Sequence, residues 1–348
     1  DLQRVSFMDV RKVQLTGKST FTVSLPKVWA QKVSLKAGDT IVVNELDDGS
    51  IKLIPPAART RPTMAKCSTI KISEEMKSET LSRRIISDYL AGYDIIKISA
   101  RGSSLIEEAH RQAIRETANK LIGIEIIEQR AGEVTLQCLL DYSKLSIVDV
   151  IKKMRTTASS MQRDSIIALL TGNVNLARDI VLRDEEVDRL YLLAVKQLKD
   201  AIRCADVAKA MNMSPRACLG YRVIVKTIER IADHSERIAR NAIELDGVKW
   251  PASITQAISE MSEGTNKVYE KSFEALLTMD GNEAEEAIES IESVKKIETH
   301  LIERLTRQDL PFHLACRLNI IIDSIRRAAD YGTDIAEIVL NLAAGEPA

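Results

Sequence analysis

Two pairs of acids, Asp184 with Asp188 and Glu229 with Asp233, each stand four residues apart. At about 100° per residue, an α-helix puts such a pair on one face, where like charges repel by roughly 0.2–0.5 kcal/mol. On their helix, Glu229 and Asp233 fall nearly opposite the apolar positions Ile224, Ile228 and Ile231, which predicts an outer-face location. Adjacent helices in a bundle would bring the two pairs together. The result would be an all-carboxylate site suited to a hard cation, with His234 as an adjunct ligand. A plainer reading pairs Asp233 with Arg237 and Glu236 with Arg240, leaving only a solvated face.

A second concentration of charge lies at the start. Residues 1–36 hold seven Lys/Arg (Arg4, Arg11, Lys12, Lys18, Lys27, Lys32, Lys36) against Asp1 and Asp9. Residues 37–54 invert the balance, with Lys52 against Asp39, Glu45, Asp47 and Asp48. A basic face opposite an acidic one follows, although the whole chain has a net charge of only -1. Elsewhere the reactive residue types are dispersed. Cys67, Cys138, Cys204, Cys218 and Cys316 show no metal-ligand spacing and suit reduced thiols in the cytoplasm. His110, His300 and His313 lack a Cys/His partner at ligand spacing, and no nucleophile–base pair is apparent, so an enzyme is not expected. No apolar run approaches the roughly 20 residues of a membrane span.

The elements that position these residues fall into three segments. At 348 residues, 45% hydrophobic and 28% charged, the chain is long enough for several globular domains. Its 4% aromatic content suits helical bundles of Ile, Leu, Val and Ala. Residues 5–55 read as short strands: Val10–Leu15, Thr20–Leu25, Thr40–Asn44 and Ser50–Ile54, with a short helix at Pro26–Lys32 and a turn at Asp47-Asp48-Gly49. So small a β unit needs a second chain to close its core. A proline-rich linker, 55–63, follows. Residues 67–141 alternate strand and helix in an α+β pattern: strands at Ser68–Ile72, Asp94–Ala100, Ile124–Gln129 and Val134–Leu139, helices at Glu74–Ala91 and Ser103–Leu121.

Residues 144–344 are helical and repeat. Ile224, Ile228, Ile231, Ser235, Ile238, Ala242 and Leu245 shift by 97 onto Ile321, Ile325, Ala328, Gly332, Ile335, Val339 and Leu342. Long helices at about 146–170 and 174–205 precede the first copy, and others at 252–278 and 282–307 precede the second. Two tandem three-helix bundles, 144–246 and 252–344, are the economical reading.

Arg11-Lys12-Val13-Gln14-Leu15-Thr16-Gly17-Lys18, then Phe21-Thr22-Val23-Ser24-Leu25-Pro26-Lys27 and the turn Leu35-Lys36-Ala37-Gly38-Asp39, resemble the SpoVT/AbrB swapped-hairpin family across residues 8–54. That family binds DNA as a dimer. By motif position the resemblance places Arg11, Lys12, Lys18 and Lys27 on the DNA face. Lys18 stands where the family often carries Arg, and Lys reads guanine less well than Arg does.

The tandem bundles with an acid-xxx-Asp motif are similar to the PhoU family, whose members carry metal ions on surface acids. The resemblance covers 144–344. It implies an iron, manganese or zinc site on Glu229 and Asp233, with Asp184 and Asp188 as companions. In the second bundle Asp330 matches Asp233 and Glu298 matches Asp188. Arg326 and Val294 replace the other two acids, so that second metal site is degraded.

The expected protein is mainly α and multidomain: an AbrB-like swapped-hairpin β domain, a small α+β middle domain and PhoU-like tandem bundles. Its expected function is that of a cytoplasmic, non-enzymatic, DNA-binding transcriptional regulator of phosphate uptake, with the helical region as sensor or partner-binding part. The expected partners are double-stranded DNA, a second copy (a homodimer or higher even oligomer) and a phosphate-transport or signalling protein, without membrane insertion. The alternative is a dimeric adaptor that regulates a phosphate transporter or kinase without touching DNA.

Overall fold

The computed structural model describes residues 10–45, 49–56, 65–73, 75–101, 105–141, 146–307 and 310–344. The expected turn at Asp47-Asp48, the centre of the proline linker and the helix start expected at Ser103 lie outside these residues. The chain divides into two compact units, 1–65 and 66–348.

In the first unit β1 (Gln14–Thr16) pairs antiparallel with β2 (Thr20–Thr22), Leu15 opposite Phe21. Gly17 turns the chain between them at φ 68°, a conformation that glycine adopts without a Cβ penalty. Helix α1 (Lys27–Lys32) follows, its N-terminus set by Pro26. Then β3 (Val42–Glu45) pairs antiparallel with β4 (Ile51–Ile54) in a separate two-stranded sheet. The strands are shorter than the alternation in the sequence predicts. Among the unit's described residues only Pro55 is buried. Val10, Phe21 and Val28 are 85%, 73% and 78% exposed, and Val13, Leu15, Val23, Val43 and Ile51 are exposed too. Alternating residues that should bury one face of each strand therefore find nothing to bury against among the unit's described residues.

The second unit begins with a four-stranded mixed sheet. Its strands are β5 (Cys67–Ile72), β6 (Ile95–Ala100), β7 (Ile124–Gln129) and β8 (Glu133–Cys138), in spatial order β5-β6-β8-β7. The β5–β6 pair is parallel and therefore needs a crossover, supplied by helix α2 (Ser78–Ala91). The other two pairs are antiparallel. Helix α3 (Glu108–Lys120) joins α2 in covering the sheet. Ile70, Leu81, Ile85, Tyr89, Ile96, Ile98, Ile114 and Leu136 form the core between the layers.

Six long helices follow: α4 (Ile147–Thr171), α5 (Val174–Arg203), α7 (Pro215–Glu244), α8 (Ala252–Thr278), α9 (Gly281–Thr306) and α10 (Phe312–Ala343). A short α6 (Ala205–Ala210), not expected from the sequence, bridges α5 and α7. Side-chain caps start four of the long ones. Ser146, Asn173, Ser214 and Asp280 each accept a bond from a first-turn backbone N–H. The repeated stripe is core in both copies, with Ile224, Ile228, Ile231, Ile321 and Ile325 at most 1% exposed. Gly332, at the repeat position of Ser235, lets α8 approach α10. A Cβ there would lie 3.0 Å from Val268 Cγ1 and 3.4 Å from the Tyr269 backbone nitrogen.

The α+β layer is riveted to α5 by charge. Helix α2 ends at Gly92 in the left-handed conformation (φ 80°), and cations favour a helix C-terminus. Arg203 Nη1 donates to Ala91 O at 2.9 Å, and Lys196 Nζ donates to Tyr89 O at 3.2 Å. Lys196, 3% exposed, also sits 3.3 Å from Asp200 and 5.0 Å above the Tyr89 ring. Helix α5, which carries Asp184 and Asp188, is thus anchored to the sheet domain at its C-terminal end.

Candidate metal centre and basic hairpin

Helices α5 and α7 lie side by side in the first bundle, and their facing edges hold the acids. One carboxylate oxygen from each of Asp188, Glu229 and Asp233 lies within 4.8 Å of the other two. Glu229 departs from the outer-face expectation: α5 covers it and leaves it 7% exposed. A 100° step from Ile228 places it at the flank of the apolar stripe, where the neighbouring helix reaches.

Asp184 lies one turn earlier on α5. Its Oδ1 is buried and has no hydrogen-bond partner among the described residues. Burial, and then the charges of Asp188, Asp233, Glu236 and Glu229, push its carboxyl up to about 7. Asp188 and Asp233 reach solvent, yet the protein atoms packed round them raise both, with the neighbouring Glu229 adding to the effect. Asp233 is pushed up to about 6. Desolvation and mutual repulsion thus both disfavour full ionisation of the cluster.

One cation answers this charge from within. Lys226 Nζ ion-pairs with Glu229, one turn away on α7, and lowers Asp188 and Asp233 electrostatically. Sequence reasoning missed Lys226, although its i, i+3 spacing to Glu229 was the available signal. Lys120, at the end of α3, acts on Asp188 in the same sense. Of the plainer pairings expected on this face, Glu236 does hold Arg240, with Arg240 Nε donating at 2.7 Å.

His234 turns elsewhere. Its ring lies 5.7 Å from that of Tyr331 on α10. Burial first, and then Arg237 and Arg327, push it down to about 4 against the pull of Asp323. It is not an adjunct to the acids.

In the second bundle Arg326 occupies the position of Glu229. Its Nε lies 3.1 Å from Glu298, and its Nη1 binds Asp330. Val294, at the position of Asp184, is fully buried. The two surviving acids of this half are therefore bridged by a guanidinium of their own chain.

The described basic residues of the first unit are all exposed. Lys18 occupies the turn at the hairpin tip, and Lys27 opens α1. Arg11 and Lys12 precede β1 at the opposite end of the hairpin. One chain's hairpin does not bring its tip and its base together.

Among the described residues no helix is long and apolar enough to cross a membrane.

The model of the PhoU domain family matches residues 151–242 and 258–339, one copy in each bundle. The model of antidote-toxin recognition MazE, bacterial antitoxin, matches residues 14–61. The chain is 25% identical over 201 residues to "Phosphate-specific transport system accessory protein PhoU homolog 1" of Thermotoga maritima, covering 56% of this chain and 85% of that protein. It is 23% identical over 210 residues to the PhoU homolog of Borreliella burgdorferi, covering 58% and 92%. The fold is shared with the crystal structure of PhoU from Pseudomonas aeruginosa (TM-score 0.51, 20% identity, 57% of this chain and 96% of that one). It is shared likewise with PhoU from Streptococcus pneumoniae (TM-score 0.50, 16% identity, 57% and 94%). With two PhoU domains spanning half of its 348 residues and a MazE/AbrB-like unit ahead of them, this chain belongs to the PhoU family.

Proposed function

We propose that this protein is a DNA-binding regulator of phosphate uptake that acts by binding rather than by catalysis. The observation that carries the reading is the union, in one chain, of two PhoU domains with a MazE-type unit whose described basic residues are exposed and whose described apolar side chains form no core. A second copy closes that unit and doubles Arg11, Lys12, Lys18 and Lys27 across one duplex. The names of the two relatives, accessory proteins of phosphate-specific transport, supply the link to phosphate.

The acids of α5 and α7 hold a metal ion in this reading. The buried, unpartnered Oδ1 of Asp184 and the convergence of Asp188, Glu229 and Asp233 fit a hard cation. The all-oxygen donor set favours manganese over zinc. The ion supplies positive charge to a face that otherwise repels itself, and Asp184, Asp188, Glu229 and Asp233 orient it. In the second bundle Arg326 already supplies that charge, so Glu298 and Asp330 bind no metal.

The test is DNA binding by mobility shift across a salt series. Each phosphate neutralised contributes about -0.9 to the slope of log K against log salt, so a dimer using most of its eight cations gives a slope of roughly -4 to -7. Lys18→Ala removes two contacts through the dimer and flattens the slope by about two units. Binding that survives loss of all four basic residues refutes the assignment. An adaptor that docks on a transport protein without DNA is the second reading, favoured by the accessory role in the relatives' names. It is the outcome if no duplex binds.

A further inference from the structure

The two bundles meet chiefly along α7 and α10, and more narrowly along α4 and α8, where the seam is polar. On α4, Arg155, Ser159 and Gln162 fall at i, i+4 and i+7, on one helix face. On α8, Asn266, Glu270 and Phe273 repeat that spacing. Glu270 is gripped at three points. Arg155 Nη2 donates to its Oε2, Ser159 Oγ donates to its Oε1 at 3.1 Å, and Arg163 Nη1 stands 3.6 Å from Oε1. The Arg155 guanidinium is fixed further by the Phe273 ring, 5.3 Å beneath it.

Around this grip the polar groups are not satisfied. Gln162 is 1% exposed, and neither its Nε2 nor its Oε1 has a partner among the described residues. Asn266 Oδ1 and the hydroxyl of the fully buried Tyr269 lack one as well. Buried polar atoms ordinarily find partners, because leaving them unpaired costs stability. A contact meant only to glue two bundles would be apolar, since a partly exposed ion pair contributes little net stability. This one instead gathers two guanidinium groups and a hydroxyl round Glu270, with the unpaired amides on the same two helix faces, and it opens to solvent where Glu270 (39%) and Arg163 (52%) emerge.

The geometry points to a small-oxyanion site between α4 and α8, whose place is taken in this structure by the carboxylate of Glu270. Paired guanidinium groups with a hydroxyl donor are the groups that hold phosphate-type oxyanions, and a carboxylate is the protein's own mimic of one. The ligand's chemistry can be narrowed. Gln162 leaves its Nε2 donor and its Oε1 acceptor unpaired and Asn266 its Oδ1 acceptor, and two open acceptors to one donor favour an oxyanion that carries a proton. Hydrogenphosphate offers such an O–H and sulfate does not, so the site selects the former. The oxyanion displaces Glu270 from Arg155 and Arg163, with no covalent step and no proton transfer, and so loosens a tie between the two bundles. Phosphate as the physiological ligand rests on the regulatory reading above, whereas the preference for a protonated oxyanion rests on the seam alone.

Equilibrium dialysis of the full chain against labelled orthophosphate, in chelator and without DNA, tests the site apart from the acidic cluster and the hairpin. Metal-free, DNA-free buffer also keeps a failure here separate from a failure of the DNA assay. Glu270→Gln removes the competing carboxylate and should bind phosphate at least tenfold tighter than the parent. Adding Arg155→Gln should return binding to the parental level, and sulfate should bind Glu270→Gln more weakly than phosphate. Equal binding by the parent and Glu270→Gln, or equal affinity for sulfate and phosphate, overturns the proposal. Should Glu270→Gln fail to fold, Arg163→Gln decides, because that side chain is half exposed. The parent must then bind phosphate and lose most of it on this substitution, and no parental binding or unchanged binding overturns the site.

Discussion

Asp184→Asn should stabilise the metal-free protein at neutral and alkaline pH. The carboxyl of Asp184 lies at about 7 against an ordinary 3.8, so the folded chain keeps a proton that the unfolded chain releases between about pH 4 and pH 7. Stability attributable to this group therefore falls as pH rises through that window and levels off above it. The shift is roughly three units, and at about 1.4 kcal/mol per unit its ceiling is about 4 kcal/mol. Partial solvent access and rearrangement of the neighbouring acids reduce it, and about 2 kcal/mol is the expected size. Asp233, raised to about 6, adds in the same direction. The assay is urea unfolding in chelator, followed by helical circular dichroism, at about pH 5 and about pH 8. The parent should lose stability between the two, and Asp184→Asn should lose distinctly less. Manganese should restore the parent at the higher pH and do less for the variant. A variant weaker than the parent at about pH 8, or with an unchanged pH slope, would refute the electrostatic account of the cluster.

Lys226→Met removes the cation that Glu229 now holds, and should raise metal affinity in a dialysis assay by at least about tenfold, or 1.4 kcal/mol. Glu229→Ala with Asp233→Ala should abolish metal retention, and an unaltered metal content in that double variant would displace the site. The full chain should sediment as a dimer or higher even oligomer, because Val10, Leu15, Phe21 and Val28 need a partner surface, and a well-folded monomer at micromolar concentration would sink that inference.

Much of the helical half was legible because a 3.6-residue period declares itself over long stretches. Ile224 through Leu245 and their counterparts 97 residues on are core in the structure as the spacing predicts. The acids were legible as pairs on two helices, but their burial was not. Periodicity fixes the angle of Glu229 to Ile228 on its own helix, whereas its exposure depends on how closely α5 lies, which no single-helix argument contains. Lys226 was missed for a related reason, since the sequence shows several basic residues within reach of Glu229 and only rotamer and neighbour choose among them. Strands β1 and β2 are shorter than their alternation predicts, and no residue of either is buried.

The two bundles work as an internal control on the acidic site. The shift of 97 that maps Glu229 onto Arg326 also maps Lys226 onto Asp323, so the signs at both positions are reversed between the halves. In the second half the guanidinium lies between Glu298 and Asp330, and the missing fourth acid is a buried valine. Charge there is settled within the chain. In the first half Lys226 pairs with Glu229, Lys120 acts on Asp188 without pairing, and the buried Oδ1 of Asp184 has no partner among the described residues. A cluster that were merely a solvated face would have no reason to bury its first acid or to keep Glu229 under a neighbouring helix, because exposed carboxylates cost less in water. The contrast follows from side chains on the same scaffold at matched positions, so it cannot be a property of the bundle fold itself. In the function proposed above, the response to a cation belongs to one half of the molecule, on the helix that Lys196 and Arg203 tie to the sheet domain.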